Sequence, residues 1–124
     1  GIFVEGGRFA GAINLSSIQR GPFQNAYVGY WIAQEHAGNG YMPESVVLVT
    51  RFAFEDLHLH RLQIAIIPRN ANSRRVVEKL EYREEGVALR YLEINGVWED
   101  HIRYAITAEE WDERREELLK AWVD

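Results

Sequence analysis

Two glycines stand where a predicted strand gives way to a predicted helix, in the segment His36-Ala37-Gly38-Asn39-Gly40-Tyr41. The start of a helix offers unpaired backbone N–H groups and the positive end of the helix dipole. Because glycine has no side chain, the backbone approaches a ligand closely, and the junction suits a phosphate group. A purely steric role for the glycines is an equal alternative. The segment lacks the Lys-Ser/Thr of a P-loop and the full dinucleotide fingerprint, which disfavours ATP, GTP and NAD.

A second polar cluster, Asn70, Asn72 and Ser73, opens another predicted helix directly after a predicted strand. Short polar side chains at this point most simply cap the helix, and we predict Asn70 as the N-cap residue. By themselves, these three residues indicate a structural role rather than a chemical one.

Two further pairs of residues combine side chains that exchange protons or bind metals. Asp100 and His101 are adjacent on a predicted strand, where they either bind or deprotonate an amine or form a structural hydrogen bond. His58 and His60 lie at a helix-to-strand junction, which leaves the directions of their side chains open. We therefore predict no metal site.

Hydrophobic periodicity predicts the elements that position these residues. Alternating or continuous apolar runs predict strands over residues 2–5, 8–15, 26–33, 61–68, 87–94 and 98–106. Apolar residues three and four apart predict helices over 41–57 and 71–81, and a last helix from Thr107 that holds Trp111, Leu118 and Trp122. Residues 16–25 are predicted as a loop. This order indicates a mixed α/β domain with a central sheet and helices on its faces.

Local signals support these elements. Asn95-Gly96 is a strong hairpin signal, and Thr107 with Glu110 has the spacing of a capping box. Apolar residues dominate positions 62–67, which is typical of a strand covered on both faces. The first two helices are expected to bury Met42, Val46, Val49, Ala53 and Leu57, and Val76, Val77 and Leu80, respectively.

Composition narrows the class of protein. The chain has 124 residues, of which 47% are hydrophobic and 27% charged, without a repeat or a linker, so we expect one domain over residues 1–124. Its 19 acidic and 14 basic residues give a net charge of -5, which makes nucleic acid an unfavourable partner. The lack of cysteine excludes thiol chemistry and fits a reducing, cytoplasmic location. No apolar run reaches the roughly 20 residues of a membrane span, so we expect no membrane partner.

Five motifs in one order carry a resemblance to a known family. They are the strand with His-Ala-Gly-Asn-Gly-Tyr, then Arg61-Leu62, Asn70-x-x-Ser73 with Glu-Lys-Leu-x-Tyr, Glu-Glu-Gly, and Asn-Gly-x-Trp-x-Asp-His. From residue 26 to 111 this pattern resembles the GNAT superfamily of acetyl-CoA-dependent N-acetyltransferases, and within it the ribosomal-protein-alanine, RimJ/RimL-type group. The resemblance implies a mixed, mostly antiparallel sheet with helices on both faces, and also an N-terminal strand and two helices that this chain is expected to lack.

The resemblance also implies a site for acetyl-CoA as co-substrate. Backbone groups of Trp31, Ile32 and Ala33 would pair with the pantetheine arm. The turn formed by His36, Ala37, Gly38, Asn39, Gly40 and Tyr41 would cradle the pyrophosphate. Asn70 would hydrogen-bond the pantetheine region, and Ser73 is the candidate donor of a proton to the leaving thiolate.

This sequence departs from the family pattern at several positions. Glu35 replaces a glutamine or arginine before the glycine turn, and Glu81 replaces the glycine that ends the second helix. Related alanine acetyltransferases place a glutamate base and a tyrosine acid where this chain has Ala65 and Val77. That acid and base pair is therefore not carried over.

The implied activity is transfer of an acetyl group from acetyl-CoA to a primary amine. We expect a protein N-terminal α-amino group as acceptor, with a small amine as the alternative. An α-amino group with a pKa of about 7.7 to 8.0 needs a weaker base than a lysine with a pKa near 10.4. The alternative function is a non-catalytic acyl-CoA-binding or regulatory module. Because the strand over 2–5 would lack a neighbour, we also expect either a homo-oligomer or a longer protein of which this chain is a part.

Overall fold

The computed structural model describes residues 2–3, 9–32 and 41–123. In that part of the chain one sheet has the strand order β1-β2-β3-β4-β6-β5. The strands are β1 (Ile2–Phe3), β2 (Phe9–Gln19), β3 (Asn25–Ile32), β4 (Arg61–Ile66), β5 (Arg83–Ile94) and β6 (Val97–Thr107), and the α-helices are α1 (Tyr41–Arg51), α2 (Ala71–Lys79) and α3 (Ala108–Trp122). β3 and β4 are parallel and the other neighbours antiparallel, which confirms the predicted mixed, mostly antiparallel sheet.

The hydrophobic core lies against one face of the sheet. Alternate residues of β3 and β4 are buried there, among them Val28, Leu62 and Ile64. They pack with residues of all three helices, including Met42, Val46, Val76, Val77, Leu80, Trp111 and Leu118. The predicted inward residues of α2 are thus confirmed, and Trp122 of α3 is partly buried against the same core. Because side chains alternate along a strand, Tyr27, Gly29, Gln63 and Ala65 belong to the other face.

α1 is shorter than the predicted helix 41–57. It ends at Arg51 and continues as a π-helical turn, Phe52–Asp56, in which the Leu57 N–H donates to the Phe52 carbonyl. This wider turn buries both Ala53 and Phe54 in the core. A π-turn inserts one residue into the helical repeat, so no regular period of 3.6 predicts it.

The buried face of α1 also differs from the predicted stripe in one respect. Val49 is only half-buried, whereas the adjacent Thr50 is fully buried. The Thr50 hydroxyl donates to the Val46 carbonyl at 2.7 Å and lies 2.7 Å from the Tyr82 hydroxyl. These bonds satisfy the polar atom that burial would otherwise penalise.

Residues 16–19 extend β2 instead of opening the predicted loop 16–25. Ser16 pairs with Tyr27 and Gln19 with Asn25, so a bulge holds the residues between them. Ser17 adopts a φ of 50° in this bulge. The two serines interrupt the apolar alternation, and only pairing with β3 keeps the chain extended.

β4 and α2 end two residues earlier than predicted, at Ile66 and Lys79 rather than at 68 and 81. Glu81 has a φ of 56°, in the left-handed region that favours glycine. Arg114 of α3 donates to the Leu80 carbonyl at 2.7 Å and to the Glu81 carbonyl at 3.1 Å. These two bonds hold the strained end of α2.

The predicted hairpin and capping box are confirmed. Asn95 and Gly96 have φ values of 51° and 82° between β5 and β6. The Thr107 hydroxyl accepts from the Glu110 N–H at 3.3 Å, and the Glu110 carboxylate accepts from the Thr107 N–H at 3.0 Å. Neither α3 nor any other described helix is long and apolar enough to cross a membrane.

β1 lies at one edge of the described sheet, beside β2. An edge strand exposes backbone groups that can pair with another chain. The homo-oligomer expected from the sequence stays a prediction.

Candidate functional site

The parallel strands β3 and β4 separate after three pairs of residues. The pairs are Asn25 with Arg61, Ala26 with Leu62, and Tyr27 with Gln63. Beyond them β3 follows β2 to Ile32, while β4 follows β6 to Ile66. The two facing strand edges have no strand partner in the described part of the chain, so their N–H and C=O groups need another partner. We call this gap between β3 and β4 the slot.

A cavity of about 160 Å³ lies in the slot. Its walls are residues 28–30 of β3, residues 64–67 at the end of β4, Asn70 and Ser73 at the start of α2, and His101 of β6. α1 begins at Tyr41 and α2 at Ala71, so each of the two parallel strands leads toward a helix N-terminus. The carboxyl ends of adjacent parallel strands are where α/β proteins commonly bind ligands, and helix N-termini favour anionic groups.

The first turn of α2 is tied to β3. Asn70 Oδ1 accepts from the Ser73 N–H at 3.2 Å, which confirms Asn70 as the N-cap. The Tyr30 hydroxyl donates to the Ser73 carbonyl at 2.6 Å. Burial raises the pKa of Tyr30, and the neighbouring Tyr104 and Tyr82 raise it further. Tyr30 therefore stays protonated and holds Ser73 at the slot.

A second cavity, of about 310 Å³, adjoins the slot on the sheet face away from the core. Val28, Gly29 and Ala65 line both cavities, so the two adjoin at the same stretch of sheet. The rest of the second cavity is lined by hydroxyl, aromatic and aliphatic groups of Ser16, Ser17, Tyr27, Tyr91 and Leu92. The Arg103 guanidinium stands 5.8 Å from the centre of the Tyr91 ring.

The fold separates the adjacent residues Asp100 and His101. Asp100 is exposed, and its Oδ1 accepts from the Arg90 N–H at 2.8 Å in the bulged part of β5. His101 is only 4% exposed and lines the slot. Of this pair, only His101 reaches the candidate site, whereas Asp100 forms a structural hydrogen bond.

His58 and His60 lie away from the slot. His60 Nε2 is 2.6 Å from Oε1 of Glu109, an exposed pair, and His58 is exposed with a φ of 56°. The described residues contain no group of three acidic or histidine side chains placed to hold a metal ion.

The predicted cofactor-binding residues fall into two groups. Ala33, His36, Ala37, Gly38, Asn39 and Gly40 lie outside the described residues. Trp31 and Ile32 end β3 where it borders the slot, and Tyr41 begins α1. Asn70 and Ser73 come together at the slot cavity. The binding and catalytic roles of these residues stay predictions.

Sequence reasoning missed Gly29, Tyr30 and Tyr91 as residues of this region. Tyr30 fits the ordinary alternation of side chains along a strand. No local sequence signal indicates that its hydroxyl bonds to the Ser73 carbonyl of α2. Tyr91 lies in β5 between pairs whose register shifts, so its position relative to β3 depends on long-range pairing. The small residue Gly29 is the one local signal, since glycine inside a strand often marks a close approach.

Comparison with known proteins identifies the family. The family model for the acetyltransferase (GNAT) domain matches residues 1–83. The probable N-acetyltransferase YjcK of Bacillus subtilis is 46% identical over 99 residues, which are 80% of this chain and 55% of that protein. The ribosomal protein uS5-alanine N-acetyltransferase of Escherichia coli is 36% identical over 101 residues, 82% of this chain and 52% of its own length. Mycobacterium smegmatis RimJ in complex with CoA-disulfide has a TM-score of 0.83 and 35% identity, and the match covers 93% of this chain and 55% of RimJ.

The chain belongs to the GNAT acetyltransferase family. Its similarity to RimJ and to the uS5-alanine enzyme confirms the predicted RimJ/RimL-like resemblance. The chain spans about half the length of these relatives.

Proposed function

We propose that this chain transfers an acetyl group from acetyl-CoA to a primary amine. The observation that carries the proposal is the slot, where two parallel strands have edges without a strand partner among the described residues, around a cavity that ends at a helix N-terminus. An extended pantetheine arm satisfies such edges as an added strand does. The RimJ structure that this chain resembles was solved with CoA-disulfide, which supports the same ligand class here.

The residues that hold acetyl-CoA in this proposal follow from the family pattern. Backbone groups of Trp31, Ile32 and Ala33 bind the pantetheine arm, and the glycine turn over 36–41 binds the pyrophosphate. The Asn70 Oδ1 caps α2, so its amide nitrogen is the group that donates to the pantetheine.

Acetyl transfer requires three events at the thioester. The amine attacks the carbonyl carbon, a backbone N–H at the slot edge stabilises the oxyanion, and the thiolate is protonated as it leaves. Ser73 lines the slot at the start of α2, and we assign its hydroxyl as the proton donor. The tie from Tyr30 to the Ser73 carbonyl fixes its position.

We propose a protein N-terminal α-amino group as the acceptor. The second cavity adjoins the slot, and the described residues that line it are uncharged, so none of them offers a carboxylate to a polycation. The nearby Arg103 guanidinium repels additional positive charge. Both features favour an acceptor that carries one amine at its end. The Escherichia coli relative is named as an N-acetyltransferase of an alanine in ribosomal protein uS5. This name supports a protein as the acceptor.

The same proposal treats residues 1–124 as one acetyltransferase domain and places it in the cytoplasm, where ribosomal-protein acceptors are made. The shared sheet and core of the described residues support the first part.

A thiol-release assay tests the activity. We expect turnover of acetyl-CoA with peptides that begin with alanine or serine, and at least tenfold less with spermidine or an Nα-blocked lysine peptide. Titration calorimetry with acetyl-CoA runs in parallel. Binding without turnover on any amine would identify the non-catalytic acyl-CoA module instead, and absence of both would reject the proposed function.

A further inference from the structure

Among the residues that the structure describes, no carboxylate lines the cavity in the slot. Its described lining consists of apolar residues, the hydroxyls of Tyr30 and Ser73, the amide of Asn70 and the imidazole of His101. The pKa of Tyr30 is raised, so this hydroxyl does not act as a base near neutral pH. Among these described groups, the His101 imidazole is the one whose ring nitrogen can act as a proton acceptor through its lone pair.

Hydrogen bonding fixes the tautomer of His101. Its Nδ1 lies 3.0 Å from the Glu99 main-chain carbonyl, which only accepts hydrogen bonds. Nδ1 must therefore carry the proton, and in the neutral ring Nε2 keeps its lone pair. The Glu99 carboxylate is engaged by Arg69 Nη2 at 2.5 Å, so it is the carbonyl of Glu99 that orients the imidazole.

The neighbours of the His101 imidazole determine which edge of that ring is open to a ligand. Tyr91 of β5 stands edge-on to His101, with 5.7 Å between ring centres. The slot lies on the opposite side, toward β4 and β3, where His101 lines the cavity. With Nδ1 bonded to the main-chain carbonyl of its own strand, Nε2 is the ring nitrogen that keeps a lone pair for a proton.

From this geometry we infer that His101 is the general base of acetyl transfer, a role that rests on the proposed function. Ser73 at α2 and His101 at β6 line the same cavity from different elements, so the thioester lies between an acid and a base. His101 also lies near Ala65, which supplies no acid or base, because Ala65 pairs with Arg103, two residues along β6.

The proton transfers balance as follows. The amine nitrogen forms the C–N bond to the thioester carbonyl carbon and gives one proton to His101 Nε2. The C–S bond then breaks, and the CoA thiolate takes one proton from the Ser73 hydroxyl. Solvent removes the proton from His101 and restores the one on Ser73, so the net reaction is amine plus acetyl-CoA to amide plus CoA.

The substitution His101→Asn tests the base role. An asparagine amide nitrogen replaces Nδ1 as donor to the Glu99 carbonyl, but nothing replaces Nε2. With acetyl-CoA and a peptide beginning with alanine, we expect kcat at least 100-fold lower and an acetyl-CoA Kd within twofold of the wild type. In His101→Ala, added imidazole should restore part of the rate, which a purely structural histidine would not show.

His60→Asn is the matched control, because this histidine is exposed and paired with Glu109 away from the slot. We expect its kcat to equal that of the wild type. Nitrogen-15 NMR of the histidine rings gives a readout independent of turnover, and we expect His101 to show a protonated Nδ1 and an unprotonated Nε2.

Three results overturn the inference. Full turnover by His101→Asn overturns the base role alone and leaves the proposed function standing. A tautomer protonated at Nε2 overturns it without reference to activity. Absence of turnover by the wild-type chain with every amine overturns the proposed function, and the base role with it.

Discussion

The two ends of the β3–β4 pair behave differently although the same two strands form both. At the closed end, Gln63 Nε2 donates to Asn25 Oδ1 at 2.9 Å and Arg103 donates to Gln63 Oε1 at 2.6 Å. Asn25 and Gln63 are fully buried there. At the open end, the strands diverge around the slot, and the facing positions include Gly29 and Ala65.

This contrast shows how one sheet combines stability with a binding site. A hydrogen bond between the buried amides of Gln63 and Asn25 holds the strands at the closed end, where Asn25 Nδ2 has no partner among the described residues. Small residues at the open end leave the unpaired backbone edges accessible to a ligand. The closed end therefore determines where the slot begins, and the open end provides its space.

The largest effect is expected from filling the slot with Ala65→Phe. The larger ring occupies the cavity between the strands, so we expect the affinity for acetyl-CoA to fall at least 100-fold, about 2.7 kcal/mol. Ala65 is only half-buried, so the folded state should tolerate the ring. Calorimetry measures the affinity and thermal unfolding the stability. An unchanged affinity would show that the slot is not the cofactor site.

Breaking the closed end with Gln63→Leu should act on stability instead. The substitution removes two hydrogen bonds and leaves the Asn25 amide and the Arg103 guanidinium without this partner. We expect a loss of about 2 to 3 kcal/mol in the free energy of unfolding, measured in urea. The affinity of the folded protein for acetyl-CoA should stay within threefold. If Gln63→Leu lost affinity for acetyl-CoA but kept the wild-type free energy of unfolding, the two ends of the β3–β4 pair would not have separate roles.

Ser73→Ala and Asn70→Ala form a matched pair at the open end. The helix cap uses the main-chain N–H of Ser73, which alanine also has. Ser73→Ala should therefore change the free energy of unfolding by less than about 0.5 kcal/mol. Its kcat should fall about tenfold, since a thiolate leaves with modest help from an acid. Asn70→Ala removes the cap and should cost about 1 kcal/mol. Full kcat in Ser73→Ala would remove Ser73 from the mechanism.

The smallest effect is expected at the far end of α2, in Glu81→Gly. Glycine adopts the φ of 56° without strain, so the free energy of unfolding should rise by about 0.5 to 1 kcal/mol. Neither end of the β3–β4 pair contains Glu81, so the affinity for acetyl-CoA should not change. A destabilised variant would mean that the Glu81 side chain itself contributes to the fold.

Local sequence signals predicted much of this protein. The capping box at Thr107, the cap at Asn70 and the turn at Asn95-Gly96 depend on residues a few positions apart, and the structure confirms all three. Element order was also readable, since hydrophobic period is a local property. The motifs led to the GNAT family, which the family model confirms. The binding role of the glycine turn at 36–41 stays a prediction from the sequence.

Other features depended on contacts between distant segments. The bulge at Ser17 and the π-turn after Arg51 follow from pairing with β3 and packing in the core, and the predicted loop and long helix were therefore wrong there. The sequence left two alternatives open for Asp100 and His101. The structure places Asp100 in a hydrogen bond with the Arg90 N–H and His101 at the slot cavity, and a chemical role for His101 stays a prediction.

The sequence by itself determined the order of the elements, the caps at Asn70 and Thr107 and the family, because each depends on neighbours in the chain or on a motif of fixed spacing. Only the tertiary structure decided where β3 and β4 part, and that Tyr30, Ser73 and His101 border one cavity. The physical reason is that strand separation is set by long-range hydrogen bonds such as that from Gln63 to Asn25, which join residues 38 positions apart and leave no local pattern.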